Sequence, residues 1–227
     1  SYMKKVLAIN SGSSSFKYKI FSLPEEKVIA EGMADRVGLD GSSFDIELKD
    51  GQKHTEDVAI PDQETAVSLL LKALKKYNVV DDLKEIAGVG HRIVAGGEFF
   101  KDSALITEDN LHEIFDLKEY APLHNPAEGE GIKAFMKLLP GVPEVAAFDT
   151  SFHQSMDDVH YLYSVPYDYC EKYRVRKYGA HGTSVRSVSM RPAELMKKDL
   201  KALKMIVCHL GSGASITAVK NGKSYDT

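Results

Sequence analysis

The stretch "KKVLAINSGSSSFKYKIF", Lys4 to Phe21, sets two β-prone apolar runs on either side of six small or polar residues, Asn10 to Ser15. Runs spaced in this way predict a hairpin. A tight hairpin turn needs only two or three such residues. Six predict a loop that offers its backbone amides and hydroxyls to a ligand. Successive N–H groups in a Gly/Ser turn form a concave anion site without a helix N-terminus. The hydroxyls of Ser11, Ser13, Ser14 and Ser15 and the ammonium of Lys17 supplement it. A single loop of this kind is more simply a plain hairpin connection.

A second one exists. "LAINSGSSSFKYKIF" and "IVCHLGSGASITAVK" align without a gap, setting Asn10 on His209, Gly12 on Gly211 and Ser13 on Ser212. Each reads as an apolar strand, a Gly/Ser turn and a second strand. An internal repeat of this kind predicts duplicated domains facing one cleft, each presenting a loop to it. "VKNGKS" adds a type I′ hairpin signal at Asn221-Gly222. The chain therefore reads as a first domain over residues 3–150, then connecting helices and the start of a second, truncated domain over 151–227.

Between the loops the periodicity alternates. "KVIAEGMADRV" and "SSFDIELKD" read as strands, with Gly38 and Gly41 marking the turn between them. From Asp62, a plausible N-cap after Pro61, Ala66, Leu69, Leu70, Ala73, Leu74 and Tyr77 recur at helical spacing. "IAGVGHRIV" and "PEVAAFD" read as buried strands, and "EDNLHEIFDLKEY" and "PAEGEGIKAFMKLL" as helices. A helix is expected from about Ser184 to Lys201, kinked or restarted at Pro192. Together these predict an α/β fold with a mixed sheet flanked by helices.

Composition narrows the function classes. The 227 residues are 43% hydrophobic and 27% charged, as in an ordinary globular protein. Net charge is −4, so no basic field advertises nucleic acid or an anionic membrane, and neither partner is expected. No apolar run approaches the roughly 20 residues that span a bilayer. Cys170 and Cys208 show no metal or redox spacing, and a reduced cytoplasm is the expected compartment. No leader sequence is read ahead of the first strand, and Ser1 and Tyr2 are read as a remnant outside the fold.

Two standard nucleotide signatures are absent. "GKS" at Gly222 would need a glycine where Thr217 stands, and "GVGHRI" at Gly88 carries Ile93 where a dinucleotide fingerprint needs its third glycine. The paired Gly/Ser loops remain, and by themselves they name no substrate.

The motifs "NSGSSSFKYKIF", "GHRIVAGGE", "APLHNPA", "AFDTSFH", "YGAHGTS" and "HLGSGAS" occur in the order found in the acetate kinase family, which the chain resembles from Met3 to Thr227. The resemblance implies a ribonuclease H-like fold of the actin, sugar-kinase and Hsp70 superfamily, with two such domains. It implies reversible transfer of the ATP γ-phosphoryl group to acetate, giving acetyl phosphate and ADP, with Mg²⁺ or Mn²⁺ and a homodimer in the full-length protein.

It also assigns roles. Asn10, Ser11, Gly12, Ser13, Ser14 and Lys17 would contact the nucleotide phosphates from one side, and His209, Leu210, Gly211, Ser212 and Gly213 from the other. Arg92, whose planar fork suits a carboxylate or phosphoryl oxygens, is expected to be catalytic, with Asp149 and His181. Arg92, Val94, His124 and Ala180 would surround the acyl substrate, and Asn10 and Asp149 would hold the metal, usually through water. A surface ion pair is the plainer reading of Arg92, and a helix cap that of Asp149. His91 and His153 are read as structural, and His54, His112 and His160 as surface residues.

The chain departs from the family pattern at Ala95 (usually His), Ala180 (usually Phe) and Ser212 (usually Asn). The first two remove bulk near the expected acyl pocket. Propionate or butyrate kinase, a water-hydrolysing nucleotide-gated module, and a folded but non-catalytic piece are the alternatives.

Overall fold

The computed structural model describes residues 4–93, 104–107, 111, 125–148 and 195–209. Strands β1 (Lys4–Ser11), β2 (Ser15–Leu23), β3 (Lys27–Asp35), β4 (Ser43–Leu48) and β5 (Lys53–Asp57) come first. Helix α1 (Gln63–Lys76) and strand β6 (Ile86–Ile93) follow, joined through a 3-10 turn at Leu83–Glu85. Then come β7 (Ala104–Ile106), α2 (Asn125–Leu138), β8 (Glu144–Phe148) and α3 (Lys197–His209).

The eight strands form one sheet in the order β5-β4-β3-β2-β1-β6-β8-β7. β1 to β5 pair antiparallel in sequence. β1, β6 and β8 run parallel, and β7 pairs antiparallel with β8. This is the mixed sheet flanked by helices that the sequence predicts. Two short strands, β5 and β7, escape the sequence reading. β5 is almost wholly exposed, so no apolar alternation marks it.

Alternation of side chains gives the sheet two different faces. Leu7, Ile9, Phe16, Tyr18, Ile20 and Ile46 point to α1 and α2, where Val67, Leu70, Leu74 and Phe135 complete the larger core. Val6, Ala8, Phe21, Ala87, Val145 and Ala147 point the other way, to Leu200, Leu203, Ile206 and Val207 of α3. α1 starts as expected at Asp62, whose carboxylate accepts from the Thr65 amide at 2.8 Å and hydroxyl at 2.7 Å. Those bonds hold the Asp62 carboxyl below its ordinary value.

One expectation is overturned. "IVCH", Ile206 to His209, is read from sequence as the opening strand of the second repeat, yet it continues α3. A short apolar run fits either periodicity. Here Leu203, Ile206 and Val207 recur at helical spacing and bury against the sheet, and that packing decides. The bed is flat because β6 carries glycines. A Cβ on Gly90 would stand 2.1 Å from Val207 Cγ2, and one on Gly88 would stand 2.6 Å from Leu195 Cδ1. The helix expected over "EDNLHEIFDLKEY" lies outside the described residues, apart from Leu111.

Candidate functional site

The β1–β2 hairpin expected from the opening stretch is present in full register, with Asn10 opposite Lys17 and Ser11 opposite Phe16. Its loop is closed by the Gly12 amide donating to the Ser15 carbonyl at 2.8 Å. Three neighbours then hold it from outside. The Val37 amide donates to the Ser14 carbonyl at 3.0 Å, tying the tip to the turn after β3. Gln63 Nε2, from the first turn of α1, donates to the Gly12 carbonyl at 3.3 Å. Gly131 of α2 approaches so closely that a Cβ there would lie 2.9 Å from Ser11 Oγ.

Those contacts sort the serines. Ser11 is buried and turns its hydroxyl inward toward α2, so that hydroxyl is withdrawn from any ligand outside the loop. Ser13 is exposed at the tip, Ser14 is half-buried, and Lys17 is exposed on β2. Sequence reasoning treated the serines as equivalent. Ser11 ends β1, and strand alternation puts it on the Leu7–Ile9 side, a signal already present in the spacing.

Arg92 reaches the same edge by parallel pairing. Ile9 lies opposite His91, so Asn10 and Arg92 follow one step further along adjacent parallel strands. Arg92 in turn lies opposite Ala147 of β8, and Phe148, opposite Ile93, ends that strand. Ligands of open α/β sheets bind beyond the carboxyl ends of the strands, which is where this edge lies. Asn10, Lys17 and Arg92 share one sheet face by alternation, the face that carries α3. Near the end of α3, Val207 packs at Gly90, two residues before Arg92. His209 ends the helix. Val94, His124, Asp149, Ala180, His181, Leu210, Gly211, Ser212 and Gly213 lie outside the described residues.

Beneath the edge sits a buried pair. His91 Nε2 lies 2.7 Å from Glu144 Oε1, and Phe135 meets the imidazole edge-on with centroids 5.6 Å apart. Burial pushes the His91 ring down to about 3, so it is neutral and its Nε2–H donates to the carboxylate. This is the structural role expected of His91. The ring orients β6 against β8 and faces away from Arg92.

On the α3 side a cavity of about 290 Å³ runs from Asn10 and Lys17 across β3 to β5. Lys17, Lys19 and Lys53 line it together with Glu31, Asp45 and Glu47, so its charges balance. Gly32 lies in its floor, where the Tyr18 hydroxyl donates to the Asp45 carbonyl at 2.7 Å. Burial, with Asp45 and Glu31 adding to it, pushes the Tyr18 phenol up, and the hydroxyl stays protonated.

Among the described residues there is no cluster of three His, Cys, Asp or Glu side chains suited to a metal. The donors at the loop are Asn10 and the Ser13 and Ser14 hydroxyls, all hard oxygens. That set suits a Mg²⁺-like cation held through water and phosphate oxygens rather than a cage of carboxylates.

The sequence matches the Acetokinase family over residues 5–227. The acetate kinase of Limosilactobacillus fermentum is 55% identical over 225 residues, covering 99% of this chain and 56% of that protein. The acetate kinase of Bacillus subtilis is 53% identical, covering 99% and 57%. The chain thus spans a little over half the length of the curated relatives it matches. Among solved structures, the Porphyromonas gingivalis acetate kinase superposes with a TM-score of 0.64 at 42% identity, over 74% of this chain and 43% of that one. A propionate kinase from Francisella tularensis superposes with a TM-score of 0.61 at 31% identity, over 75% and 43%. With hairpin loop, parallel edge and matched length in agreement, the chain belongs to the acetokinase family.

Proposed function

We propose that this chain supplies one wall of an acetate kinase site, in which the ATP γ-phosphoryl group passes reversibly to a carboxylate oxygen of acetate. One observation carries the reading: Asn10, Lys17 and Arg92 share one sheet face at the carboxyl edge of the parallel strands. In the forward direction an acetate oxygen forms the new O–P bond while the bond between phosphorus and the ADP oxygen breaks. A carboxylate attacks without a strong base. The obstacle is the meeting of two anions, so positioning and charge stabilisation supply the catalysis.

In this reading the loop amides with Ser13 and Lys17 receive phosphate oxygens, and the Arg92 fork offsets charge on the transferring group or acetate. Ser11, Ser14 and Gly12 shape the loop. Asn10, with Asp149, would hold a Mg²⁺ or Mn²⁺ ion, which when bound draws charge from the phosphate oxygens. His181 would join Arg92 at the transferring group, and Val94, His124 and Ala180 would shape the acyl pocket. His209, Leu210, Gly211, Ser212 and Gly213 would approach the nucleotide from the end of α3. The same reading divides the chain at residue 150, expects a homodimer of the full-length protein and places it in the cytoplasm.

A propionate-selective site is the second reading, favoured by the likeness to a propionate kinase and by the small residues Ala95 and Ala180. One methylene changes binding by only about 1–3 kcal/mol in such a pocket, so chain length must be measured. The test follows acyl hydroxamate formation by the full-length polypeptide from MgATP with acetate, propionate and butyrate. Acetate as the best acceptor supports the proposal. Preference for a longer acid supports the second reading, and ATP hydrolysis with no acyl phosphate contradicts both.

A further inference from the structure

We propose that Gln63 is a positioning residue, which sets the direction of the Ser13 amide by holding the Gly12 carbonyl; the inference rests on reading the Asn10–Ser15 loop as the phosphate cradle. Gln63 is the first residue of α1 and only 6% exposed. Its Nε2 donates to the Gly12 carbonyl at 3.3 Å, which also decides which end of the carboxamide faces the loop. The Gly12 carbonyl and the Ser13 N–H belong to one planar trans peptide unit, so they point in opposite directions. Drawing the carbonyl toward α1 therefore aims the Ser13 N–H away from the helix, to the outer side of the loop. Ser13 is the exposed residue there.

Stability alone does not account for this glutamine. Among the described residues, Gln63 Oε1 is buried with no hydrogen-bond partner, and so is the nearby Ser11 Oγ, against Gly131. An unsatisfied buried acceptor costs fold stability, so an apolar side chain of the same length would serve the fold at least as well. Nor does α1 need Gln63 to begin, because Asp62 and Thr65 already cap it. What the carboxamide does that an apolar residue cannot is fix one peptide plane next to glycine. Gly12 lacks a side chain to restrict that plane, and its amide is already committed to the Ser15 carbonyl.

The experiment uses Gln63→Met and Gln63→Glu in the full-length polypeptide, with thermal unfolding, acyl phosphate turnover and the NMR response of the Ser13 amide to MgADP. Gln63→Met is expected to keep or raise Tm while turnover falls roughly 10- to 100-fold, the scale of a small misplacement of a reacting group. Its Ser13 amide should lose the response to MgADP. Gln63→Glu sets a carboxylate against the carbonyl; its turnover should fall further and recover as pH is lowered toward protonation, relative to wild type at each pH. Wild-type turnover and Ser13 response in Gln63→Met would overturn the inference, as would a turnover loss that only follows a lowered Tm. A wild-type Ser13 response to MgADP without acyl phosphate formation would leave the positioning role standing and reject the functional reading. Turnover without any Ser13 response would reject the positioning role alone.

Discussion

Strands β2 to β5 and strands β1, β6 and β8 belong to one sheet, yet they cover its faces differently. Around the parallel strands, α1 and α2 lie on one side and α3 on the other, seated on Gly88 and Gly90. Across the antiparallel strands one face packs on the core, while the other carries a row of charges, Lys19, Glu31, Glu47 and Lys53, in register. This is the usual division between parallel strands, buried on both sides, and antiparallel strands that tolerate one wet face. The lesson concerns where chemistry can sit. The open charged face has the cavity, but its lysines and carboxylates balance. The covered half has the edge at which strand ends, loop amides and Arg92 converge.

Substitutions at five positions sharpen that contrast, beginning with the largest effect. Arg92→Ala in the full-length polypeptide should lower turnover by about 10³-fold or more, as for other cationic groups that act on a transferring phosphoryl. Arg92→Lys should recover little, because a point charge does not replace the planar fork. Turnover of Arg92→Ala within a few fold of wild type would remove Arg92 from the site.

Next come two glycines, one in each half. A Cβ on Gly32 would meet the backbone oxygen of Asp45 at 2.1 Å and the Tyr18 hydroxyl at 2.6 Å, whereas on Gly90 it would meet only side chains of α3. Gly90→Ala should cost about 1–3 kcal/mol, the scale of core overpacking. Gly32→Ala should cost more, since strand β4 itself must move. Chemical denaturation of both variants decides the order, and the reverse order would contradict the packing described.

A smaller effect lies in pH. The unfolded chain protonates His91 near its ordinary 6.5, and the folded ring, kept neutral by burial, only near about 3. The unfolded state therefore binds more protons between those values, so stability falls as pH drops through that window and is unaffected above it. His91→Gln, whose amide can still donate to Glu144, should lose Tm less steeply between pH 6.5 and 5. Parallel slopes would show that His91 does not titrate in this way. The smallest change is expected from Lys53→Ala on the open face, within about 0.5 kcal/mol in stability and with turnover close to wild type.

Much of this was legible in the residues themselves. Alternation and turn residues define β1 to β4. The Asp62 cap and the Ala66–Leu74 spacing define α1, and the apolar run Ile86–Gly90 of β6 marks a strand buried on both faces. Two kinds of information were not local. Met205 to Val207 suit either a strand or a helix, and only the flat glycine bed of β6 selects helix. The serines of the loop look alike in sequence, whereas Ser11 is turned inward by its strand position beneath Gly131. Gln63 carried no motif at all. Its signal is a polar residue directly after an N-cap that ends up buried, which only the packing reveals.

Amide hydrogen exchange of the full-length polypeptide, with and without MgADP and acetate, tests the central contrast most directly. Slowed exchange at Gly12 to Ser15 and at the end of β6 around Arg92, with β4 and β5 unchanged, is the predicted result. Slowed exchange across β4 and β5, with the loop and Arg92 unaffected, would locate the ligand on the open charged face and contradict the account.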